Sequence, residues 1–296
     1  MSHTPDNPDP PELNDDLLKL LKPEDLPSFS VDWEDSKRDR PVDILLLTAK
    51  ECEFLSCVSH LNPGFYKSWL DGLGLVYFGR TDREDESLKI AVVECSVGSV
   101  EPQASLVVAK SAVEALQPKA VLNVGYCGGL NNKVRLGNVI ISSKLRTYST
   151  FKKSKGVTEN RNIAVPLSAN FARLVKTANY GWKPPLSDPE QLKVEVFKDG
   201  VMLSGPMVVN DEQLRTELVK QGSDAIAVEM EGQGLYSAAH DLGIEWVIIK
   251  GVSDFADGTK SSTNSWRPFS SAMAASLTFH MLRNTRVFKK WKHYER

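Results

Sequence analysis

Two glutamates alternate at the end of an apolar segment, where Glu229-Met230-Glu231 follows residues 225–228. Strand alternation would send the side chains of Glu229 and Glu231 to one side and that of Met230 to the other. One interpretation is that both acids cap a helix beginning near Gly232, where carboxylates stabilise free amides and the helix dipole. Because an uncompensated buried carboxylate is expensive, the alternative is a binding site in which a carboxylate accepts two hydroxyl hydrogen bonds from a ribose.

Asp254 also follows an apolar segment, residues 246–249, and lies in a turn rich in acids and glycine. Turn formation explains the nearby Asp257 but explains Asp254 less well. Between Val252 and Phe255, at the mouth of a sheet, apolar surroundings could keep the Asp254 carboxyl partly protonated. A general acid working near neutral pH requires that state, so Asp254 is a candidate proton donor.

Two further acids, Glu51 and Glu53, open a predicted helix directly after the first predicted strand. Acids are common in a first helical turn because they stabilise the positive end of the helix dipole. This explains at least one of the two, and Lys50 beside them would pair with solvent or with Glu51. The spacing alone assigns neither acid to catalysis.

The segment Gly125-Tyr126-Cys127-Gly128-Gly129 is a glycine turn after an apolar strand. It matches neither the dinucleotide fingerprint nor the phosphate loop with its Gly-Lys-Ser/Thr ending. The turn is either a tight connection or a place where the backbone approaches a flat ligand. Cys127 is not favoured as a nucleophile, since no His is close to it in the sequence and nothing indicates a lowered thiol pKa.

Residues 142–162, called here the basic segment, carry many cations and only one acid, Glu159. The cations are Lys144, Arg146, Lys152, Lys153, Lys155 and Arg161. A solvated loop is one interpretation of this pattern. The alternative is a phosphate-binding lid, in which Lys144, Arg146, Lys152 and Lys153 would hold the tail of a nucleotide.

The elements that must position these residues alternate along the chain from residue 41 onward. Predicted strands cover residues 43–49, 89–95, 120–124, 138–142, 225–229 and 246–251, with weaker ones near 75–79, 194–197 and 207–209, and predicted helices cover 51–61, 103–116, 169–179, 212–221, 231–242 and 268–283. Such alternation is typical of an α/β domain with a largely parallel sheet. Ligands of open α/β sheets bind at strand ends, where the candidate residues lie.

Composition favours a small-molecule partner. Lys and Arg total 36 against 38 Asp and Glu, so no basic field attracts nucleic acid or a membrane surface. No apolar run approaches the ~20 residues that a membrane helix needs. The four cysteines show no zinc spacing and no signal peptide precedes them, so we predict a reduced, cytoplasmic protein.

The first forty residues differ from the rest of the chain. They contain 11 acids, 5 bases and 6 prolines. Apart from a short apolar patch at residues 17–21, which could form a docking helix, they cannot bury enough apolar surface to offset chain entropy. We therefore predict a flexible, acidic, Pro-rich tail over residues 1–40, which could bind a protein partner, and one domain over residues 41–296.

Taken together, the motifs resemble the nucleoside phosphorylase and methylthioadenosine/S-adenosylhomocysteine nucleosidase superfamily. The resemblance covers about residues 42–284 and rests on residues 43–49 followed by Glu53 and on residues 121–130, 136–140, 227–232 and 252–257. It implies a three-layer α/β/α fold around a twisted, mixed central sheet. It also implies an enzyme of nucleoside metabolism that cleaves the N-glycosidic bond between a ribose and a base.

The resemblance implies roles for the residues at matching positions. Asp254 matches the acid that donates a proton to purine N7, and Ser253 is its neighbour. Glu231 matches the carboxylate that grips the ribose hydroxyls, Met230 the residue that packs on the ribose, and Glu53 the acid that orients or deprotonates the attacking water. The transition state is oxocarbenium-like, so the purine must leave neutral and the ribose cation must lie near negative charge.

Two positions depart from parts of this superfamily. Where nucleosidases carry an aromatic residue that stacks on the purine, this chain has Gln213, so base recognition either differs or comes from Tyr126, Phe255 or Trp266. Phosphorylase branches carry an arginine followed by Gly-Ser/Thr after the third strand, and residues 124–128 contain no arginine. We therefore predict a nucleosidase that uses water. The alternatives are a phosphate-dependent phosphorylase and a catalytically silent nucleoside-binding module.

The expected substrate is a purine nucleoside or nucleotide. Residues 266–269 and the Ala/Ser-rich helix after them resemble nucleosidase-like domains of immune effector proteins, some of which act on nucleotides such as ATP. The basic segment would suit a triphosphate. The few histidines show no metal-ligand spacing, so no metal or organic cofactor is expected. The resemblance also implies a homodimer in which a neighbour closes the pocket.

Overall fold

The computed structural model describes residues 9–81, 87–154 and 157–295. Its strands are β1 (Ser30–Val31), β2 (Ile44–Thr48), β3 (Tyr66–Leu70), β4 (Gly74–Arg80), β5 (Lys89–Glu94), β6 (Ala120–Gly129), β7 (Val139–Thr147), β8 (Phe151–Ser154), β9 (Val157–Asn160), β10 (Ala164–Pro166), β11 (Val196–Ser204), β12 (Ala225–Glu229) and β13 (Glu245–Asp254). Its helices are α1 (Glu51–Val58), α2 (Ser105–Leu116), α3 (Ala169–Leu174), α4 (Glu212–Gln221), α5 (Gly232–Leu242), α6 (Trp266–Leu282) and α7 (Thr285–Phe288).

Within the described residues, all strands except the β8–β9 hairpin join one mixed sheet. The strand order is β1-β3-β4-β5-β2-β6-β12-β11-β7-β10, and β13 pairs with both β6 and β7. The central strands β2, β5 and β6 are parallel, and every residue of β2 is buried. This burial explains why β2 is a continuous apolar run rather than an alternating one, because helices cover both faces of the sheet there.

The sheet curls into a closed ring at one end. β12 pairs with β6 and β11, β11 pairs with β7, and β13 closes the ring between β7 and β6. Along the parallel β6–β13 pair, Lys250 lies opposite Gly125 and Asp254 lies opposite Gly128. The register therefore places the end of β13 beside Gly128. Residues 125–129, predicted as a turn after the strand, are instead the last part of β6.

Helices cover the two faces of the sheet, as the predicted three-layer fold requires. α1 and α6 pack on each other and on β6, while α2 and α5 form a second packed pair. α6 is rich in Ala and Ser, so its backbone approaches β13 closely. The Ser270 hydroxyl donates to the Val252 carbonyl at 2.7 Å, and a Cβ at Gly251 would overlap the backbone of Ser270. None of the helices in the described part of the chain has the length and apolar character needed to span a bilayer.

Some element boundaries differ from those predicted. The region predicted as a helix over residues 169–179 is α3 followed by a short 3-10 turn, Val175–Thr177. Residues 207–209, predicted as a weak strand, lie in a loop in which Met207 and Val208 are exposed. The basic segment contains the end of β7 together with β8 and β9 rather than one continuous loop.

Residues 9–40 lie against the rest of the chain, which differs from the flexible tail predicted there. Leu18 is 3% exposed, Leu13 forms a β-bridge with Leu186, and β1 pairs with β3. The Trp33 and Phe78 rings lie 6.0 Å apart. Leu13, Leu21, Leu26 and Trp33 also pack against the core, whereas Leu17 and Phe29 stay exposed. The overall composition of this acidic stretch did not reveal these contacts. Residues 1–8 lie outside the described residues.

Candidate active site

A cavity of about 230 Å³ opens where β2, β6, β12 and β13 end. Its walls combine apolar side chains with several acids and cations. The lining residues are Ala49, Lys50, Glu53, Val97, Tyr126, Cys127, Gly128, Met207, Val208, Val209, Val228, Glu229, Met230, Glu231, Asp254, Lys260 and Arg267. The carboxyl ends of these strands therefore bring together side chains from distant parts of the sequence, among them the predicted Asp254, Glu53 and Glu231.

Glu53 is held in the first turn of α1 and is 2% exposed. Its Oε2 accepts from the Ala49 amide at 2.8 Å, and its Oε1 accepts from the Tyr126 amide at 2.9 Å. Gly125 has to be a glycine, because a Cβ there would overlap the Glu53 carboxylate. The glycine at position 125 therefore lets the backbone of β6 approach the Glu53 carboxylate. The sequence analysis predicted such a close backbone approach only toward a flat ligand.

Lys250 lies at the centre of the site and was missed in the sequence. Its side chain is fully buried, and its Nζ lies 3.5 Å from Glu53 Oε1 and 3.4 Å from Glu231 Oε2. Burial alone would lower the lysine pKa, but the charges of Glu53, Glu231 and Glu229 more than reverse that effect and raise it. Lys250 therefore stays a cation. The only signal for it was a single charged residue within an apolar strand.

We call Glu53, Lys250 and Glu231 the charged cluster. Glu231 accepts from the Gly98 amide at 3.2 Å through Oε1, while its Oε2 faces Lys250. The pKa of the Glu53 carboxyl is raised by burial and by the Glu231 charge, and Lys250 acts in the opposite direction. A raised pKa makes a buried carboxylate a stronger base than an exposed one, and a general base has to take up a proton.

Glu229 lies two residues before Glu231 and has different partners. Its Oε2 accepts from the amides of Glu231 and Gly232, both at 2.9 Å. Glu229 thus caps the start of α5, whereas Glu231 joins the charged cluster. The helix-capping interpretation therefore holds for Glu229. Burial and the Glu231 charge raise the pKa of Glu229 to about 7, against the opposing effects of Lys250 and of hydrogen bonds.

Asp254 is 1% exposed and lies further along β13 than Lys250. Its Oδ1 accepts from the Ala256 amide at 3.0 Å, and its Oδ2 accepts from the Ser253 hydroxyl at 2.9 Å. Lys260 Nζ lies 3.7 Å from Oδ2. Gly128 faces the carboxylate so closely that a Cβ there would come within 3.1 Å of Oδ1. Asp254 is thus fixed in orientation at the wall of the cavity.

The predicted binding residues divide into those at the cavity and those behind it. Met230, Glu229, Tyr126, Cys127 and Gly128 line it, whereas Ser253 and Gly125 are buried behind Asp254 and Glu53. Burial raises the pKa of the Cys127 thiol, which agrees with its exclusion as a nucleophile.

Phe255 and Trp266, two of the three aromatic candidates for base recognition, do not line the cavity. Trp266 is 3% exposed and packs on Phe269, with ring centroids 5.3 Å apart. Phe255 packs against the hydrophobic core. Both side chains pack into the interior of the protein instead. Tyr126 is the aromatic candidate at the cavity.

None of the described residues of the basic segment lines the cavity, contrary to the phosphate-lid alternative, and Lys155 lies outside the described residues. Lys144 and Arg146 lie on β7, and Arg146 pairs with Asp224 at 2.6 Å. Lys152 lies 4.0 Å from Glu159 with both side chains 55% exposed, and the side chain of Lys153 lies outside the described part of the chain. The cations at the cavity are instead Lys50, Lys260 and Arg267, which come from the helix starts and loops beside β2 and β13.

Curated relatives of this chain include two nucleosidases. A death domain-containing ATP nucleosidase from Amphimedon queenslandica is 29% identical over 268 residues, which are 83% of this chain and 49% of that protein. A 5′-methylthioadenosine/S-adenosylhomocysteine nucleosidase from Desulfotalea psychrophila is 26% identical over 176 residues, 59% of this chain and 70% of that protein. The chain thus spans about half the length of the first of these relatives. The names of both relatives are those of N-glycosyl hydrolases, the enzyme class predicted from the sequence.

Solved structures show the same fold. The 5′-methylthioadenosine/S-adenosylhomocysteine nucleosidase from Neisseria meningitidis, in complex with methylthio-immucillin-A, superposes with a TM-score of 0.67 at 19% identity. The match covers 81% of this chain and 98% of that one. The fold class predicted from the sequence is therefore confirmed.

The family comparison covers the segment that contains most of the site. Residues 72–281 match the phosphorylase superfamily, a span that runs from β4 into α6 and includes Glu231, Lys250 and Asp254. This confirms the resemblance stated from the motifs. The chain belongs to the phosphorylase superfamily.

Proposed function

We propose that this protein hydrolyses the N-glycosidic bond of a purine nucleoside or nucleotide, with water as the nucleophile. The observation that carries the proposal is the placement of Glu53, Glu231 and Asp254 in one cavity, with Lys250 buried against the two glutamates. Cleavage of this bond needs negative charge near the ribose and a proton donor near the base. The curated relatives, which are nucleosidases by name, support the same reaction.

Asp254 would act on the leaving base. As the bond between C1′ and the purine nitrogen breaks, its electron pair stays with the purine, and the Asp254 carboxyl gives a proton to N7. The hydrogen bonds from Ser253 and from the Ala256 amide support this role, because they fix the direction in which the carboxyl points. General acid assistance of this kind typically contributes about 10²- to 10⁴-fold.

The charged cluster would act on the ribose and on water. Glu53 takes a proton from water as the water oxygen bonds to C1′, and its raised pKa makes it a stronger base for that step. Glu231 accepts hydrogen bonds from the ribose hydroxyls, and Met230 packs on the sugar. Lys250 would keep the two glutamates close together despite their like charges, since its Nζ lies within 3.5 Å of both.

The experiment is chromatography of free base released from adenosine, methylthioadenosine, inosine, guanosine, uridine, AMP and ATP, each with and without inorganic phosphate. We expect purine release without phosphate. Release only with phosphate would replace the proposal by a phosphorylase. Binding without release from folded protein would replace it by the silent nucleoside-binding module.

Other sequence-based expectations stay proposals of the same kind. These are a homodimer with a neighbour closing the pocket, a cytoplasmic location, a protein partner for the segment of residues 1–40, and the domain boundary at residue 41. Met207 and Val208 support the idea of a neighbour, because both line the cavity and both are exposed hydrophobic side chains.

A further inference from the structure

Two of the three cations at the cavity lie on the Glu53 side. The Lys50 amide donates to Glu53 Oε2 at 3.2 Å, which places Lys50 next to that acid at the start of α1. The Arg267 guanidinium lies 5.8 Å from the centre of the Tyr126 ring, and the Tyr126 amide donates to Glu53. The third cation, Lys260, lies beside Asp254.

Lys50 and Arg267 differ from the other cations in their partners. Lys260 pairs with Asp254 and Arg146 pairs with Asp224, but within the described residues neither the Lys50 nor the Arg267 side chain has a carboxylate within salt-bridge distance. Arg267 is half-buried and Lys50 is exposed. Both charges are therefore available to an anion that enters the cavity from solvent.

The proposed reaction fixes which part of a substrate would reach them. With the base at Asp254 and the ribose hydroxyls at Glu231, as proposed, the C5′ substituent is the part of the substrate left without a partner. Lys50 and Arg267 line the same cavity. Arginine offers a planar pair of donors that matches phosphate oxygens, and lysine adds a mobile point charge.

We propose that Lys50 and Arg267 bind the 5′-phosphates of the substrate, so that this site prefers purine nucleotides to nucleosides. The assignment rests on the proposed function and narrows its substrate class. It also assigns phosphate binding to two residues that are 217 positions apart in the chain, and not to the basic segment. The starts of α1 and α6 bring these two residues to one cavity. The sponge relative, an ATP nucleosidase by name, is consistent with a phosphorylated substrate.

The test compares kcat/KM for ATP, AMP and adenosine in the wild type, in the double variant Lys50→Gln/Arg267→Gln and in a control, Lys144→Gln/Lys152→Gln. The control also removes two cations, but from the basic segment. Because hydrogen bonds to charged groups are worth roughly 1.5–3 kcal/mol, we expect the ratio of kcat/KM for ATP to that for adenosine to fall about 10- to 100-fold in the first variant. The control should keep the wild-type ratio.

An unchanged ratio in the first variant, or an equal fall in the control, would overturn the assignment while the nucleosidase proposal stands. Inorganic phosphate separates the two possible sources of the anion. If it accelerates adenosine cleavage and the first variant abolishes that acceleration, the two cations hold a phosphate nucleophile and the assignment is wrong.

Base release from no substrate would contradict the proposed function instead. In that case calorimetric titration of ATP and adenosine into the wild type and the first variant still tests whether Lys50 and Arg267 bind the 5′-phosphates. Tighter binding of ATP that is lost in the variant supports the assignment, and equal binding of both ligands refutes it.

Discussion

The cavity and the basic segment both concentrate charged side chains, but they differ in burial. In the cavity, Lys250 is fully buried between two glutamates. In the basic segment, Lys152 and Glu159 are both more than half exposed and approach only to 4.0 Å. Exposed pairs of this kind contribute little, whereas a buried charge is costly unless it is compensated. A dense run of charge in a sequence is therefore weaker evidence for a site than a single charge that the fold buries.

Asp254→Asn should have the largest effect, because it removes the proposed proton donor and keeps the shape of the side chain. We expect turnover to fall by about 10²- to 10⁴-fold while ligand binding is retained. Base release and calorimetric binding of the preferred substrate would measure the two quantities. Full activity in a purified, folded Asp254→Asn protein would refute its assignment as the general acid.

Lys250→Met removes the buried cation and leaves Glu53 and Glu231 facing each other. Breaking a buried ion pair in this way typically costs about 3–5 kcal/mol, so the urea midpoint should fall sharply, and activity should fall with it. The matched change in the basic segment is Arg146→Met, which breaks a partly exposed pair and should cost about 1 kcal/mol or less. Similar losses in the two variants would remove the contrast between the regions.

Glu229, at the cavity, makes a pH-dependent contribution to the free energy of unfolding of the protein. Its pKa of about 7 in the folded protein lies above the ordinary value of 4.5, so between these pH values the folded protein keeps a proton that the unfolded chain has released. The free energy of unfolding contributed by this group is complete below about pH 4.5 and falls as the pH rises to about 7.

A glutamine side chain does not titrate. The Glu229→Gln variant should therefore not lose this part of the free energy of unfolding as the pH rises. Relative to the wild type, its free energy of unfolding should improve by roughly 1–3 kcal/mol between pH 4.5 and pH 7, as urea unfolding at several pH values would show. A difference between the two proteins that stays constant with pH would contradict the prediction.

Lys152→Gln should have the smallest effect. Because its pairing partner is exposed, we expect unfolding free energy within about 0.5 kcal/mol of the wild type and unchanged base release from ATP. A selective loss of ATP cleavage would bring the basic segment back to the site, against its position in the structure.

Much of the candidate site was predictable because its acids follow apolar strands. Glu53, Glu231 and Asp254 were selected at strand ends, and parallel strands bring such ends to one edge of a sheet. Lys250 was missed because a single lysine in an apolar run does not change the prediction of a buried strand and does not by itself indicate a site. Its importance depends on which acids lie across the sheet, and this is a tertiary property.

The side chains at the rim were harder to predict. Trp266 is close to Asp254 in the sequence, but the helix that it begins turns it into the core, while its neighbour Arg267 faces the cavity. The packing of residues 9–40 was missed for a related reason. Composition averages over a stretch, whereas docking needs only a few apolar side chains such as Leu18 at matched positions.

The ring of strands makes β13 indispensable to more than the chemistry. β13 fills the gap between β6 and β7, and it comes from a distant part of the chain, since the paired residues Ile249 and Ile141 are 108 positions apart. Contacts between residues so far apart in the chain form late in folding, because the entropy of closing the long loop is lost before the contact contributes any stabilisation. A chain truncated before residue 245 would lose Lys250 and Asp254 together. It would also leave β6 and β7 with unpaired edges, and such edges invite pairing with other chains and aggregation.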